Sequence, residues 1–231
     1  MSWHERIAVF DTETTGINPA DARIVTAFIG MLDENGDIMR GTEWLADPGV
    51  EIPEQAANVH GITTEMAREE GEPAEQVVAA IRAGIEWIAR NRVPLVIYNA
   101  PYDLELLDAE CHRHGLEPII PVLGEQIIDP LVIDRAVDRY RKGKRTLTDT
   151  AVAYGVELLD AHAASDDAIA SGRIAQALAV KFPDELDREL DEIHRMQVQW
   201  ADAQADDFES YMRRERDPSY TAARGWPTRR R

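Results

Sequence analysis

The 231-residue sequence has a single cysteine, Cys111. That excludes an internal disulfide framework and fits a reducing, cytoplasmic setting. No apolar run approaches the ~20 residues of a spanning helix, so no membrane partner is expected. The opening Met1-Ser2-Trp3-His4-Glu5-Arg6 lacks the pattern of a signal peptide. Basic residues are few: 25 Lys and Arg stand against 43 Asp and Glu, a net charge of −18. Taken alone, that excess argues against a partner that is itself a polyanion. Hydrophobic residues make up 44% of the chain, enough for a real core, which excludes full disorder. The length suits one domain plus an extension.

The charge is unevenly spread. Residues 135–145 carry six basic and one acidic side chain, and residues 213–231 carry seven and two. Two basic islands therefore sit in an acidic chain. Such a run is usually a solvated loop face. The first, between Arg139 and Arg145, could also reach a phosphate backbone.

Apolar patterning predicts an α/β fold. Ile7-Ala8-Val9-Phe10 reads as a strand buried on both faces. Residues 23–32 and 38–45 read as two further strands joined at Asn35-Gly36, a hairpin turn signal. Val77, Ile81, Ile85 and Ile88 recur at helical spacing after Pro73. Residues 95–98 form another apolar strand, followed by a helix that opens at Pro101 and closes at Gly115. Residues 126–129 read as a strand, with helices from about Pro130 and around Leu147–Tyr154. Ser165 is the expected N-cap of a core helix that Pro183 ends. Residues 184–212 read as one long acidic helix with a stripe of Leu186, Leu190, Ile193 and Trp200, expected to pack within the chain.

Three segments place acids at strand ends or helix starts. Asp11 and Glu13 follow the first strand and, two residues apart, point to one side. Held together they repel, and a divalent cation removes that cost. Asp103 falls in the first turn of a helix, where an acid also stabilises the helix dipole by ~0.3–1 kcal/mol. Asp167 falls in another first turn, with His162 in the loop before it. Each placement alone is ordinary; three together point to one site.

The segment Phe10-Asp11-Thr12-Glu13-Thr14-Thr15-Gly16 resembles the first motif of the DnaQ-like, or DEDDh, 3′-to-5′ exonucleases, the family of the proofreading subunit of bacterial DNA polymerase III. Asn99-Ala100-Pro101-Tyr102-Asp103 resembles the second motif, and His162-Ala163-Ala164-Ser165-Asp166-Asp167 the third. Val59-His60-Gly61-Ile62-Thr63 is similar to a segment these enzymes carry between the first two motifs. Tyr98 and Tyr102 depart from the His and Phe often found there. The resemblance implies a ribonuclease H-like fold, with a mixed five-strand sheet flanked by helices. It places an exonuclease domain at residues 1–182 and leaves 183–231 as an acidic helical extension with a basic, flexible end.

The resemblance also implies chemistry. Two divalent ions, Mg²⁺ or Mn²⁺, would be held by Asp11, Glu13, Asp103 and Asp167. His162 would be the general base, since imidazole exchanges protons near neutral pH. Thr14, Thr15, Gly16, Asn99 and Tyr102 would contact the terminal nucleotide, and His60 and Ile62 would support its base or simply pack the loop. The expected substrate is a single-stranded or frayed DNA 3′ end, and a DNA polymerase subunit is the implied partner. RNA trimming, or an inactive polymerase-binding module, are the alternatives.

Overall fold

The computed structural model describes residues 2–158 and 162–228. Its centre is β1 (Ile7–Thr14), which continues through β2 (Ile24–Leu32) into β3 (Ile38–Asp47) as an antiparallel meander. Two short strands, β5 (Leu95–Val96) and β6 (Ile127–Ile128), extend the sheet on the other side of β1, all parallel. A two-residue strand, β4 (Glu72–Pro73), pairs parallel with β3, so the mixed sheet has six strands in the order β4-β3-β2-β1-β5-β6. This sixth strand is too short to leave a periodic signal.

The reading of β1 as doubly buried explains its place at the middle. Ala8 and Phe10 pack into the cluster that holds α3 (Ala74–Arg90) and α4 (Pro101–Arg113). Ile7 and Val9 face the opposite cluster, built on α7 (Ala164–Lys181). All four are 0% exposed, and burial of a side chain such as Phe10 contributes about 1.5–3 kcal/mol. Helix α7 lies close on the sheet at Gly172, where an added Cβ would come within 2.6 Å of Val9 and Leu32 side chains. That glycine sets the height at which the first turn of α7 meets the end of β1.

Three expectations are corrected, and one further segment gains its structure. Ser165 is not the N-cap of α7: Ala163 holds that position and the Ser165 hydroxyl donates to Glu43 Oε1 at 3.2 Å. Residues 184–212 are not one helix. A four-residue α8 (Pro183–Leu186) is separated from α9 (Leu190–Glu215), and the Leu186 carbonyl at the break accepts the Trp3 indole N–H at 2.9 Å. Segment 50–71, unassigned from sequence, forms α1 (Glu54–His60) and α2 (Thr64–Glu70). The end is not loose as far as residue 228: Trp226 is buried in the core and Arg224 pairs with Asp206 and Glu209. The stripe of Leu186, Leu190, Ile193 and Trp200 packs within the chain, as expected. Among the described residues, no helix is long and apolar enough to cross a membrane.

Candidate active site

Strand β1 continues past its apolar run and carries Asp11 and Glu13 in its second half. Its twofold alternation turns both carboxylates to one side. Asp103 is buried in the first turn of α4, where Pro101 occupies an early helical position that needs no N–H. The Thr12 hydroxyl donates to Asp103 Oδ1 at 2.6 Å and ties the first and second motifs together. Asp167 lies in the first turn of α7. His162 stands before that turn, exposed, with a φ of 77°. Asn99 precedes α4 with a φ of 60°. Two non-glycine residues in the left-handed region thus flank the site, at some cost in backbone strain.

Asp11, Glu13, Asp103 and Asp167 line one open cleft of about 490 Å³. Arg135, on α5 (Pro130–Val137), and Arg145 and Thr146, just before α6 (Leu147–Tyr154), form another wall. Ligand atoms of Glu13, His162 and Asp167 all lie within 4.8 Å of one another. The crowding appears in the acidities. Burial, then the charges of Asp103, Asp167 and Glu13, push Asp11 well above the usual carboxylate range. Burial, then Asp167 and Asp103, push Glu13 up to about 8. Burial raises Asp103 to about 7, with the Thr12 hydrogen bond opposing it.

Carboxylates that mutually resist ionisation, joined by a neutral-capable imidazole, form an oxygen- and nitrogen-rich donor set suited to a hard divalent cation. The residues present therefore fit a metal site.

The remaining predicted residues divide. The Thr14 hydroxyl bonds with Tyr102 Oη at 2.7 Å and donates to the Gly16 carbonyl at 2.8 Å, which Tyr102 Oη also engages. Tyr102 lines the cleft, and Thr14 and Gly16, bonded to it, form a lip beside it. Thr15 holds the turn instead, its hydroxyl accepting the Arg23 N–H at 2.9 Å. Next to Gly16, Ile17 is 96% exposed. His60 ends α1 half-buried, and its Nε2 lacks a partner of normal geometry among the described residues. Burial lowers its pKa; the Thr14 backbone opposes this and nearby His162 adds to it, which places His60 beside the site. Ile62 packs with Val25, Ile52 and Ala67 in a satellite cluster.

Sequence reasoning missed Asp129. Its buried carboxylate accepts N–H groups from Asn99, Ala100 and Leu131, each at 3.0 Å, and the Trp226 indole N–H at 3.1 Å. Its own N–H donates to Gln197 Oε1 at 2.6 Å. Asp129 therefore fixes the turn that launches α4 and Asp103, and the last segment of the chain helps hold it. The only sequence signal was Asp129-Pro130, an N-cap before a first-turn proline. Trp226→Phe keeps most of the packing and removes one donor from a buried carboxylate. It is expected to cost about 1–2 kcal/mol in urea unfolding; an unchanged midpoint would mean the bond contributes nothing.

A mixed sheet with acids from β1, α4 and α7 converging at one cleft defines a ribonuclease H-like nuclease fold. Residues 8–175 match the family model described as Exonuclease, and the chain belongs to that family, in its DnaQ-like group. Among curated relatives, the PolC-type DNA polymerase III of Lacticaseibacillus paracasei is 32% identical over 171 residues, 74% of this chain and 11% of the relative. That of Staphylococcus aureus is 31% identical over 167 residues, 72% of this chain and again 11% of the relative. The chain thus spans about a ninth of the length of these relatives. Among solved structures, E. coli exonuclease I with a dT13 oligonucleotide superposes with a TM-score of 0.66 at 21% identity, covering 78% of this chain and 42% of that one. A further exonuclease I structure gives 0.68 at 22%, covering 79% and 42%.

Proposed function

We propose that the chain is a 3′-to-5′ exonuclease that removes nucleoside 5′-monophosphates from DNA 3′ ends. The observation that carries this is the convergence of Asp11, Glu13, Asp103, Asp167 and His162 from three separate segments around one cleft. Two Mg²⁺ or Mn²⁺ ions held by the four carboxylates would supply Lewis acidity at the scissile phosphate and offset charge there. His162 takes a proton from the attacking water. The water oxygen bonds to phosphorus, the bond from phosphorus to the preceding 3′ oxygen breaks, and that oxygen is protonated as the new 3′ end. The Thr14–Gly16–Tyr102 lip holds the terminal nucleotide, and exposed Ile17 lies where a base can rest on it. DNA rather than RNA is the favoured substrate because the PolC-type and exonuclease I relatives are DNA enzymes by name or by bound oligonucleotide. Action beside a polymerase, as a proofreading unit, is the corresponding partnership.

The test is digestion of 5′-labelled single-stranded DNA and matched RNA with Mg²⁺, Mn²⁺ or EDTA. Stepwise shortening of DNA from the 3′ end, stopped by EDTA and restored by Mn²⁺, is the expected result. Faster loss of RNA would transfer the assignment to RNA trimming, and binding without cleavage under any metal would leave a scaffold. His162→Ala should slow turnover at least ~10²-fold, within the usual range for a general base. A drop of only a few-fold would take that role away from it.

A further inference from the structure

The basic residues between 135 and 145 look alike in sequence, but the structure divides them. Arg141 and Arg145 turn inward on Asp134, which is 0% exposed. Its carboxylate accepts Arg141 Nε at 3.1 Å and Nη2 at 2.8 Å, Arg145 Nη1 at 2.6 Å and the Tyr154 hydroxyl at 2.6 Å. Burial alone would raise Asp134, but bonds from Arg141, Tyr154 and Arg145 outweigh it and hold the carboxyl below its ordinary range. The Tyr98 hydroxyl, two residues past β5 and just before Asn99, donates to the Arg145 carbonyl at 2.8 Å. These two arginines are therefore internal anchors. They fix the base of the α5–α6 connection against the cleft wall.

The anchors leave the tip facing outward. Lys142, Gly143 and Lys144 are all exposed, and among the described residues neither lysine forms an ion pair. They are two of only three lysines in the chain. Tyr140 beside them is 89% exposed. Arg135, also exposed, sits on the cleft wall itself. Residues 135–144 thus carry an arginine on the cleft wall, two exposed lysines and an exposed aromatic ring, on a chain whose net charge is −18.

The chemistry that fits this set is a single-stranded phosphodiester chain. Lysine is a compact charge on a flexible stem, suited to phosphates that slide past rather than lock in place. An exposed ring lets a base stack without regard to its identity. We propose that Arg135, Lys142 and Lys144, with Tyr140, form the track on which single-stranded DNA lies upstream of the 3′ end held in the cleft. This rests on the reading of the cleft as a 3′-end site. It explains how a strongly acidic chain admits a polyanion, through a local basic entrance beside the cleft.

The test is fluorescence anisotropy with phosphorothioate-linked dT oligomers, which resist hydrolysis, in Mg²⁺ across a salt series. The double variant Lys142→Ala/Lys144→Ala should bind an oligomer of about twelve nucleotides ~10-fold more weakly at low salt, yet lose little on one of about three. Its slope of log affinity against log salt should shrink by about 1.4, two contacts at ~0.7 each. Arg6→Ala/Arg188→Ala removes equal charge at the opposite end of β1 and should leave the slope unchanged. Wild-type slope and affinity in the lysine variant would overturn the track, as would an equal loss in the Arg6/Arg188 variant. Because binding is read without cleavage, absence of nuclease activity would remove the functional reading and leave this result decided by itself.

Discussion

Asp11→Asn is expected to lower exonuclease turnover by at least ~10³-fold and, in EDTA, to raise the unfolding temperature. Both effects have one cause. Asp11 feels the whole acidic group: after burial, Asp103, Asp167 and Glu13 all raise its pKa. An amide there cannot hold a cation as a carboxylate does, so the charge developing on the scissile phosphate loses its offset. The same amide removes a negative charge that its neighbours resist. For a chain of this size each kcal/mol so relieved raises the unfolding temperature by about 2–4 °C. An acid kept only to stabilise a helix or fill a polar loop would show neither effect. Residue Asp11 lies on a strand, where no helix dipole acts. The paired outcome therefore separates the functional reading from the structural one. Near wild-type turnover in the variant would sink the assignment; lost turnover together with lower metal-free stability would point to damage of the fold instead. Asp167→Ala tests the same site from the opposite wall and should match it in turnover.

What the sequence made legible was what local pattern controls. The β1 run, the Asn35-Gly36 turn and the Val77/Ile81/Ile85/Ile88 stripe record burial at fixed spacing, and each lies where that spacing put it. The acids were legible for a related reason: a strand end or a first helical turn is a local position, and three such positions meet at one cleft. Helices α1 and α2 were not, because seven residues give too few turns to establish a period. Asp129 was not, because its four donors come from Asn99, Ala100, Leu131 and Trp226, three of them far along the chain. The basic run misled for the same reason. Its net charge was readable, but only the fold shows that Asp134 claims Arg141 and Arg145 and leaves the lysines outside.

The metal-free protein should lose stability as pH rises from about 6.5 to 8.5, and Mg²⁺ or Mn²⁺ should remove most of that loss. Asp11, Glu13 and Asp103 all have native pKa values above their unfolded ones, with Glu13 at about 8 and Asp103 at about 7. At the lower end of this range the unfolded chain has released these protons while the native state still holds most of them, and the native state gives them up towards the upper end. Stability is then greatest in acid and falls as pH rises through the native values. Buried His60 and His194 have lowered pKa values, so their contribution runs the other way. It is lost as pH falls below about 6.5, outside the chosen window. General repulsion from the net charge also grows with pH. The variant Asp11→Asn/Glu13→Gln removes the site's share and keeps the rest, so the difference between the two unfolding curves isolates the cleft. A drop on the order of 5–10 °C across the window is expected for the wild type in EDTA, and a distinctly flatter line for the variant. With a divalent cation bound, the carboxylates ionise without mutual penalty, and the bound ion stabilises the native state by mass action. The wild type should then gain more from the cation at pH 8.5 than at pH 6.5, and the double variant should gain little at either. Parallel curves for the two proteins, with and without metal, would mean that the four carboxylates do not act as one cation site.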